Sequence, residues 1–350
     1  MYSTNKMNVL ITGVAGLVGA NFAEYLLEHR ERLGVSCVYG VDDLSGGYVE
    51  NLHLGNPNFK FIQADLSKVD DQLLVEAVFR ESEIVYIFHF AAYAAEGLSP
   101  FIRQYNYMSN VIPTTFLITM GIKYNIRRFV FTSSMATYGR NETPFTEDMR
   151  PNPIDPYGIA KYACEMDLAV AYEQHGMEYC VILPHNIFGK YQNIWDPYRN
   201  VLGIWMYKAT RGEPFTVYGD GEQTRAFSYI DDILPCLWES AVSPRAKNER
   251  INLGGKVHVT LNEAARLVAE VTGTDKIVHL EPRHEVKHAW SSYQKSEEIL
   301  GYVENTSFRR GLELMWEWVR EQAERPRVFW PKYELEKNIY SYWVNNEQRE

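Results

Sequence analysis

No apolar run in this 350-residue chain approaches the roughly 18 residues that a membrane-spanning helix requires, so no membrane partner is expected. The opening segment, Met1 to Asn8, carries no apolar signal-peptide core, which makes the cytoplasm the expected location. Cysteine is scarce: Cys37, Cys164, Cys180 and Cys236 form no C-x-x-C pair, and Cys37 and Cys180 lie in apolar strand-like runs as buried free thiols. Positive charge is in deficit, with 35 Lys and Arg against 45 Asp and Glu for a formal net charge of −10. That balance argues against a nucleic-acid partner, which favours a basic face. It leaves room for a small anionic ligand, because a few local arginines can override the global sign. Internal repeats and low-complexity tracts are absent. What is present is an ordinary globular mixture, 46% hydrophobic and 23% charged, long enough for one large domain or two interlocked ones.

The hydrophobic pattern alternates between two periods. Asn8 to Thr12 is a short apolar run ending in a glycine turn, the signature of a buried parallel strand. Ala20 to Arg32 follows with helical spacing. Val35 to Val41, Phe59 to Ala64, Ile84 to Phe90, Phe129 to Ser133 and Glu178 to Leu183 repeat the strand pattern, with helices between. The alternation predicts an α/β fold, a Rossmann-type doubly wound parallel sheet. After Pro184 the rhythm breaks into loops around short elements. Phe227 to Asp231 returns to strand character and Asp232 to Ala241 to helix; Thr260 to Thr272 and Phe308 to Ala323 are further helices, the former capped by Thr260 or Asn262. The expected organisation is a dinucleotide-binding domain over residues 1–184 with a return segment at 226–244, and a smaller C-terminal substrate-binding region over 185–225 and 245–323. Residues 324–350 are an aromatic, charged extension with no assigned role.

Gly13-x-x-Gly16-x-x-Gly19 follows a strand and opens a helix, the context a dinucleotide loop needs. The glycines let the backbone turn tightly against a pyrophosphate, and the helix N-terminus offers unpaired N–H groups. Asp42 and Asp43 end the second strand, 23 residues beyond Gly19. A carboxylate there accepts from the adenosine ribose hydroxyls and repels a 2′-phosphate, favouring NAD over NADP. Asp65 ends the third strand and suits either an adenine amino group or a structural turn.

Tyr157 and Lys161 lie four residues apart and share one helix face. An ammonium beside the phenol should lower its pKa, ordinarily about 10, toward the range of a general base for an alcohol. The serine pair Ser133-Ser134 ends a strand 23 residues (from Ser134) before that tyrosine and can hold the same oxygen.

With these residues together, the chain resembles the extended short-chain dehydrogenase/reductase family, and within it the nucleotide-sugar epimerases of UDP-glucose 4-epimerase type. The resemblance spans residues 7–320 and rests on Gly13/Gly16/Gly19, Asp65-Leu66, His89-Phe-Ala91-Ala92, Ser133-Ser134-Met-Ala-Thr-Tyr138-Gly139, Tyr157/Lys161 and Arg225-Ala-Phe-Ser-Tyr-Ile-Asp231-Asp232. It implies Tyr157 as base, Lys161 on the nicotinamide ribose and Ser134 polarising the reacting oxygen, with register against Tyr138-Gly139 favouring Ser134 over Ser133. It implies an NAD site that also uses Leu17, Val18, Leu66, Ala91, Ala92 and Pro184. It implies a nucleotide-diphosphate sugar, UDP-linked above all, held by Asn186, Asn200, Val201, Arg225 and Arg283. Planar guanidinium forks suit phosphate oxygens.

Departures narrow the chemistry. The related 4,6-dehydratases carry an Asp-Glu pair where this chain has Met135-Ala136. GDP-mannose 3,5-epimerases share a run like His185-Asn186-Ile187-Phe188-Gly189 but place a cysteine acid where Ala136 stands. What remains is inversion at C4 through a transient 4-keto sugar, with another nucleotide-sugar epimerase (GDP-mannose 3,5-type or UDP-uronate 4-type), a 4-ketoreductase or a catalytically silent NAD-binding regulator as rivals. His185 suits either a ligand contact or a hydrogen-bonded interior position. His279, His284 and His288 cluster near Glu281 and Glu285 as a polar loop, and no metal is expected. The resemblance also implies a homodimer built from residues near 101–123 and 157–175, with Ile102, Tyr105, Met108, Met166, Ala169 and Val170 on the shared face.

Overall fold

The computed structural model describes residues 7–274 and 276–344. Residues 1–6, which begin the segment read as lacking a signal core, and 345–350, which end the extension, lie outside the described residues. Seven strands form one parallel sheet: β1 (Met7–Thr12), β2 (Val35–Asp42), β3 (Phe59–Gln63), β4 (Ile84–His89), β5 (Arg128–Thr132), β6 (Tyr179–Pro184) and, after three strands of the smaller region, β10 (Glu249–Leu253). Those three are β7 (Asn186–Phe188), β8 (Phe215–Tyr218) and β9 (Thr224–Tyr229). The sheet order is β3-β2-β1-β4-β5-β6-β10. Strand order reverses between β1 and β4, and the crevice above such a switch point is where open α/β sheets take ligands.

Val9, Leu10 and Ile11 are all fully buried, because helices cover both faces. Side chains alternate between two cores. Val9, Ile11, Phe88, Val130 and Ile182 meet α1 (Leu17–Glu28) and the later helices. Leu10, Ile87, Phe129, Phe131 and Val181 meet α3 (Val69–Glu81), α4 (Arg103–Lys123) and α5 (Pro156–His175). The helix expected at Ala20 to Arg32 starts earlier, at Leu17 straight out of the glycine turn, and breaks into α1 and the short α2 (Arg30–Leu33), which Gly34 ends at φ +70°.

α7 (Ile230–Val242) returns to pack on α1, β5 and β6 of the main sheet, and the smaller region holds α6 (Val201–Thr210), β11 (His258–Thr260), α8 (Leu261–Thr272), β12 (Ile277–Leu280), β13 (His288–Ala289), α9 (Gln294–Leu300) and α10 (Phe308–Arg320). Thr260 caps α8 in a reciprocal box with Glu263. One segment expected in this region goes elsewhere: Glu249–Leu253 pairs with β6 and completes the main sheet. Its polar residues disguise it, because Arg250 and Asn252 are satisfied inside the protein by partners far away in sequence. Among the described residues no helix is long and apolar enough to cross a membrane.

Residues 324–344, ending in α11 (Ser341–Val344), run back across the molecule as a strap. Tyr333 and Trp343 join a third apolar cluster with Leu98, Phe101 and Ile102. Trp330 packs on Tyr93 and Tyr105, at 5.4 and 4.7 Å between ring centroids. Arg325 stacks on Tyr48 at 4.0 Å and pairs with Glu50 at 3.2 Å. The Glu334 carboxylate accepts from the Gln104 and Tyr105 amides at 2.7 and 2.9 Å, capping the first turn of α4 from outside the helix. Glu334→Ala should therefore lower stability by about 1 kcal/mol, read as a shifted urea midpoint. An unchanged midpoint would mean the cap contributes nothing.

Candidate active site

The strand ends at the switch point open into a cavity of about 440 Å³. At one end lies the glycine loop. Gly13 sits at φ +69°, and a Cβ there would stand 2.7 Å from the Ala91 nitrogen. A Cβ on Gly19 would stand 2.1 Å from the Gly13 carbonyl oxygen. No side chain caps α1, and Gly16, Leu17 and Val18 at its start line the cavity. A bare helix start and backbone that comes this close fit a dinucleotide pyrophosphate.

Asp42 also lines the cavity. Its two oxygens accept from the Ala15 and Leu44 amides at 2.9 and 2.8 Å, so the carboxylate braces the glycine loop while keeping lone pairs for a ribose. Burial pushes its pKa up against these hydrogen bonds. Asp43 turns onto the Ser45 amide and hydroxyl, at 2.8 and 2.6 Å. Asp65 likewise closes a turn: burial opposes its charge, but Ser67 and Lys68 together hold it below the usual carboxylate range. Leu66, Ala91, Ala92 and Pro184 all contribute to the wall. His89, fully buried and held neutral at a pKa of about 3, bridges Thr12 to Thr114 and fixes β1 and β4 to α4 behind that wall.

The Tyr157/Lys161 pair sits at the start of α5. Asp155 caps this helix by accepting from the Gly158 amide at 2.8 Å, Pro156 opens it, and Tyr157 and Lys161 face the end of β5 one turn apart. Lys161 Nζ donates to the Thr132 carbonyl at 2.8 Å and lies 5.9 Å from the Tyr157 ring centroid. The expected lowering of the Tyr157 pKa is not what the structure shows. Burial holds the phenol above the usual tyrosine range; the Ser134 hydroxyl counteracts, Glu96 and Asp155 push it further up, and Arg199 pulls it back. Lys161 does not offset this, because its ammonium points at a backbone carbonyl and burial lowers its own pKa to about 8.

The two serines of the pair both line the cavity but have different partners. Ser133 Oγ is hydrogen-bonded to Glu165, whose other oxygen accepts from Arg250 Nε at 2.7 Å. Arg250 also donates to the Tyr138 hydroxyl and Thr137 Oγ1. Ser134 stays at the cavity surface, where its hydroxyl accepts from the Ala136 amide at 3.2 Å and is hydrogen-bonded to the Tyr157 phenol. The Glu165–Arg250 pair is invisible to motif reading. Its one sequence trace is that Glu165 follows Lys161 by a helical turn.

At the far end, Asn186 and Asn200 line the cavity, their amides donating to the Ala226 and Ile187 carbonyls at 2.9 Å each. Val201 packs against the main core instead of the cavity. Arg225 lines the wall with its guanidinium spent on Thr224, Val286 and Lys287 carbonyls and on Glu285. Arg283 does not reach the cavity: it stacks 4.2 Å over Tyr218 and shares Glu285 from behind. His185 is buried and neutral, its pKa lowered to about 4, with Nε2 bonded to Ser291 Oγ at 2.6 Å. The other histidines diverge, His279 to the Gly219 carbonyl and His288 to Thr224, and among the described residues no three potential metal ligands converge.

Residues 9–254 match the NAD dependent epimerase/dehydratase family. The chain belongs to that family. It is 33% identical to the UDP-glucose 4-epimerase of Thermotoga maritima, solved with UDP-glucose, over 90% of this chain and 99% of that one, with a TM-score of 0.81. It is 28% identical to the UDP-N-acetylglucosamine 4-epimerase of Methanobrevibacter ruminantium, solved with UDP-N-acetylmuramic acid, over 91% of this chain and all of that one, at a TM-score of 0.82. It is 27% identical to the UDP-glucuronate 4-epimerase of Thermodesulfobacterium geofontis, over 90% of this chain and 97% of that one. The family enzyme is an extended short-chain dehydrogenase/reductase, and its cofactor is NAD.

Proposed function

We propose that this enzyme inverts C4 of a UDP-linked hexose. The observation that carries the reading is the pairing of Tyr157 and Ser134 at the cavity surface, with no carboxylate or thiol at Met135-Ala136 to eliminate water or to deprotonate C3 and C5. NAD supplies a hydride acceptor that gives the hydride back. Burial holds the Tyr157 phenol protonated, and the positive charge of the oxidised cofactor would offset that burial, so that Tyr157 would take the proton of the C4 hydroxyl as that carbon is oxidised and return it after the 4-keto sugar has turned its other face. Ser134 donates to the same oxygen. Lys161, fixed by the Thr132 carbonyl, holds the nicotinamide ribose. The glycine loop with Asp42 holds the adenosine side, while Asn186, Asn200 and Arg225 hold the nucleotide diphosphate. The main sheet is thus the cofactor domain, and residues 185–225 with those after β10 the nucleotide-sugar region.

The test is UDP-glucose and purified protein with no added cofactor, followed by NMR. UDP-galactose should accumulate to equilibrium. Unchanged UDP-glucose, with stoichiometric consumption of added NAD(P)H on a 4-keto nucleotide sugar in a parallel assay, would identify a ketoreductase, and a product without C4 inversion overturns the proposal.

We infer also that two copies pair through α4 and α5. These helices lie side by side, and their outer faces expose Met108, Ile112, Met166 and Val170 at 43–55%. Ile102 and Tyr105, expected on that face, are instead buried or covered by the strap. Sedimentation should show a dimer, and Met166→Glu with Val170→Glu should give a folded monomer. A monomeric parent protein removes the inference.

A further inference from the structure

Between β4 and the short turn at Ser99, residues 91–96 run along the cavity and end at Glu96. The backbone there is anchored. Ser99 Oγ donates to the Glu96 carbonyl at 2.8 Å and accepts from the Tyr157 amide at 3.2 Å, so Glu96 is tied through one buried serine to the turn that carries the base. Its side chain is open to the cavity and, among the described residues, has no hydrogen-bond partner.

Its neighbours locate it. Burial pushes the Glu96 pKa up, Arg225 and Arg283 pull it back toward the carboxylate, and Glu285 opposes them. Arg283 NH1 also lies 3.6 Å from the place of a Cβ on Gly97, the next residue. On the other side Glu96 acts on Tyr157 and Asp155. Glu96 therefore lines the same cavity as Tyr157 and Arg225. If C4 meets Tyr157 and the diphosphate lies toward Arg225, the sugar ring must pass this carboxylate.

The cations of the cavity wall are already engaged by protein groups. Those lining the wall are Lys161, Arg199 and Arg225. Lys161 is fixed on the Thr132 carbonyl, Arg199 on Asp196 at 2.7 Å, and Arg225 on Glu285 and three carbonyls. Arg225 is the one assigned to the diphosphate, and Lys161 and Arg199 are held by their protein partners, so no cation of the wall is set aside for a carboxylate on the sugar. A free carboxylate is, by contrast, a strong acceptor for ring hydroxyls.

We propose that Glu96 is a specificity-determining residue that accepts hydroxyls of an uncharged hexose and rejects a uronate by like charge at the sugar ring. The inference rests on reading the cavity as a nucleotide-sugar site, and it names the substrate class of that site. Gln in place of Glu keeps the shape and an acceptor oxygen but removes the charge. Ala removes both.

Calorimetry of the NAD-loaded enzyme with UDP-glucose and UDP-glucuronate, beside C4-inversion rates on each, tests it. The parent protein should bind UDP-glucose at least about 10-fold more tightly, hydrogen bonds to a charged group being worth at least that factor. Glu96→Gln should narrow the ratio about 10-fold or more by strengthening UDP-glucuronate binding, and Glu96→Ala should weaken UDP-glucose binding. Equal binding by the parent protein, or a ratio that Glu96→Gln leaves unmoved, overturns the role of Glu96 even where C4 inversion is seen. No C4 inversion on either sugar, with the binding preference and its loss in Glu96→Gln intact, sinks the epimerase reading and leaves the charge selection standing. A protein that binds neither nucleotide sugar refutes both.

Discussion

Tyr157→Phe should lower kcat by about 10²- to 10⁴-fold, the usual contribution of a positioned acid–base group, while bound NAD stays near stoichiometric. The substitution removes one oxygen and leaves the ring, which is buried at 7% exposure, in place. Lys161 keeps its bond to the Thr132 carbonyl, since that contact does not involve the phenol. The nicotinamide ribose contact should therefore survive, and the loss should fall on the proton transfer at C4. Turnover of UDP-glucose, with NAD released by denaturation and measured by absorbance, separates the two. Full activity in the variant would sink the mechanism. Ser134→Ala removes a donor to the same oxygen but not the base, and should cost less.

The second large effect is expected from Gly19→Ala. The added carbon would stand 2.1 Å from the Gly13 oxygen and 2.7 Å from the Gly13 carbonyl carbon and the Val14 Cα, all backbone atoms that cannot swing aside. The loop must shift, and overpacking of this kind costs roughly 1–3 kcal/mol. The same shift displaces the helix start that receives the pyrophosphate, so the variant should be purified without NAD. Gly16→Ala is the control. Its Cβ meets nothing closer than the Gly13 oxygen at 3.4 Å, so the fold should tolerate it, while the cavity in front of it narrows. Gly19→Ala protein that retains both its urea midpoint and its NAD would refute this account.

Most of the sheet was legible because a parallel strand covered on both faces must be apolar throughout, as Val9 to Ile11 are. The exception was Glu249–Leu253, whose polar side chains are paid for by Glu165, Tyr138 and Phe145, more than 80 residues away in sequence. The glycine loop and the Tyr157/Lys161 turn were legible for a local reason: each lies within a single turn of chain. What stayed hidden depends on distant partners. Glu165 claims Ser133, Glu285 holds Arg283 out of the cavity, and Glu96 carries no motif at all, because its importance comes only from which groups the fold places around it.

The strap has a consequence for biogenesis. Chains mature from the N-terminus as they are made, so residues 324–344 leave the ribosome after both regions that they join. Until then the first amides of α4 lack the Glu334 carboxylate, and Tyr93 and Tyr105 lack the indole of Trp330 behind them. The nascent chain thus holds every strand of its main sheet before this side of its cavity is braced.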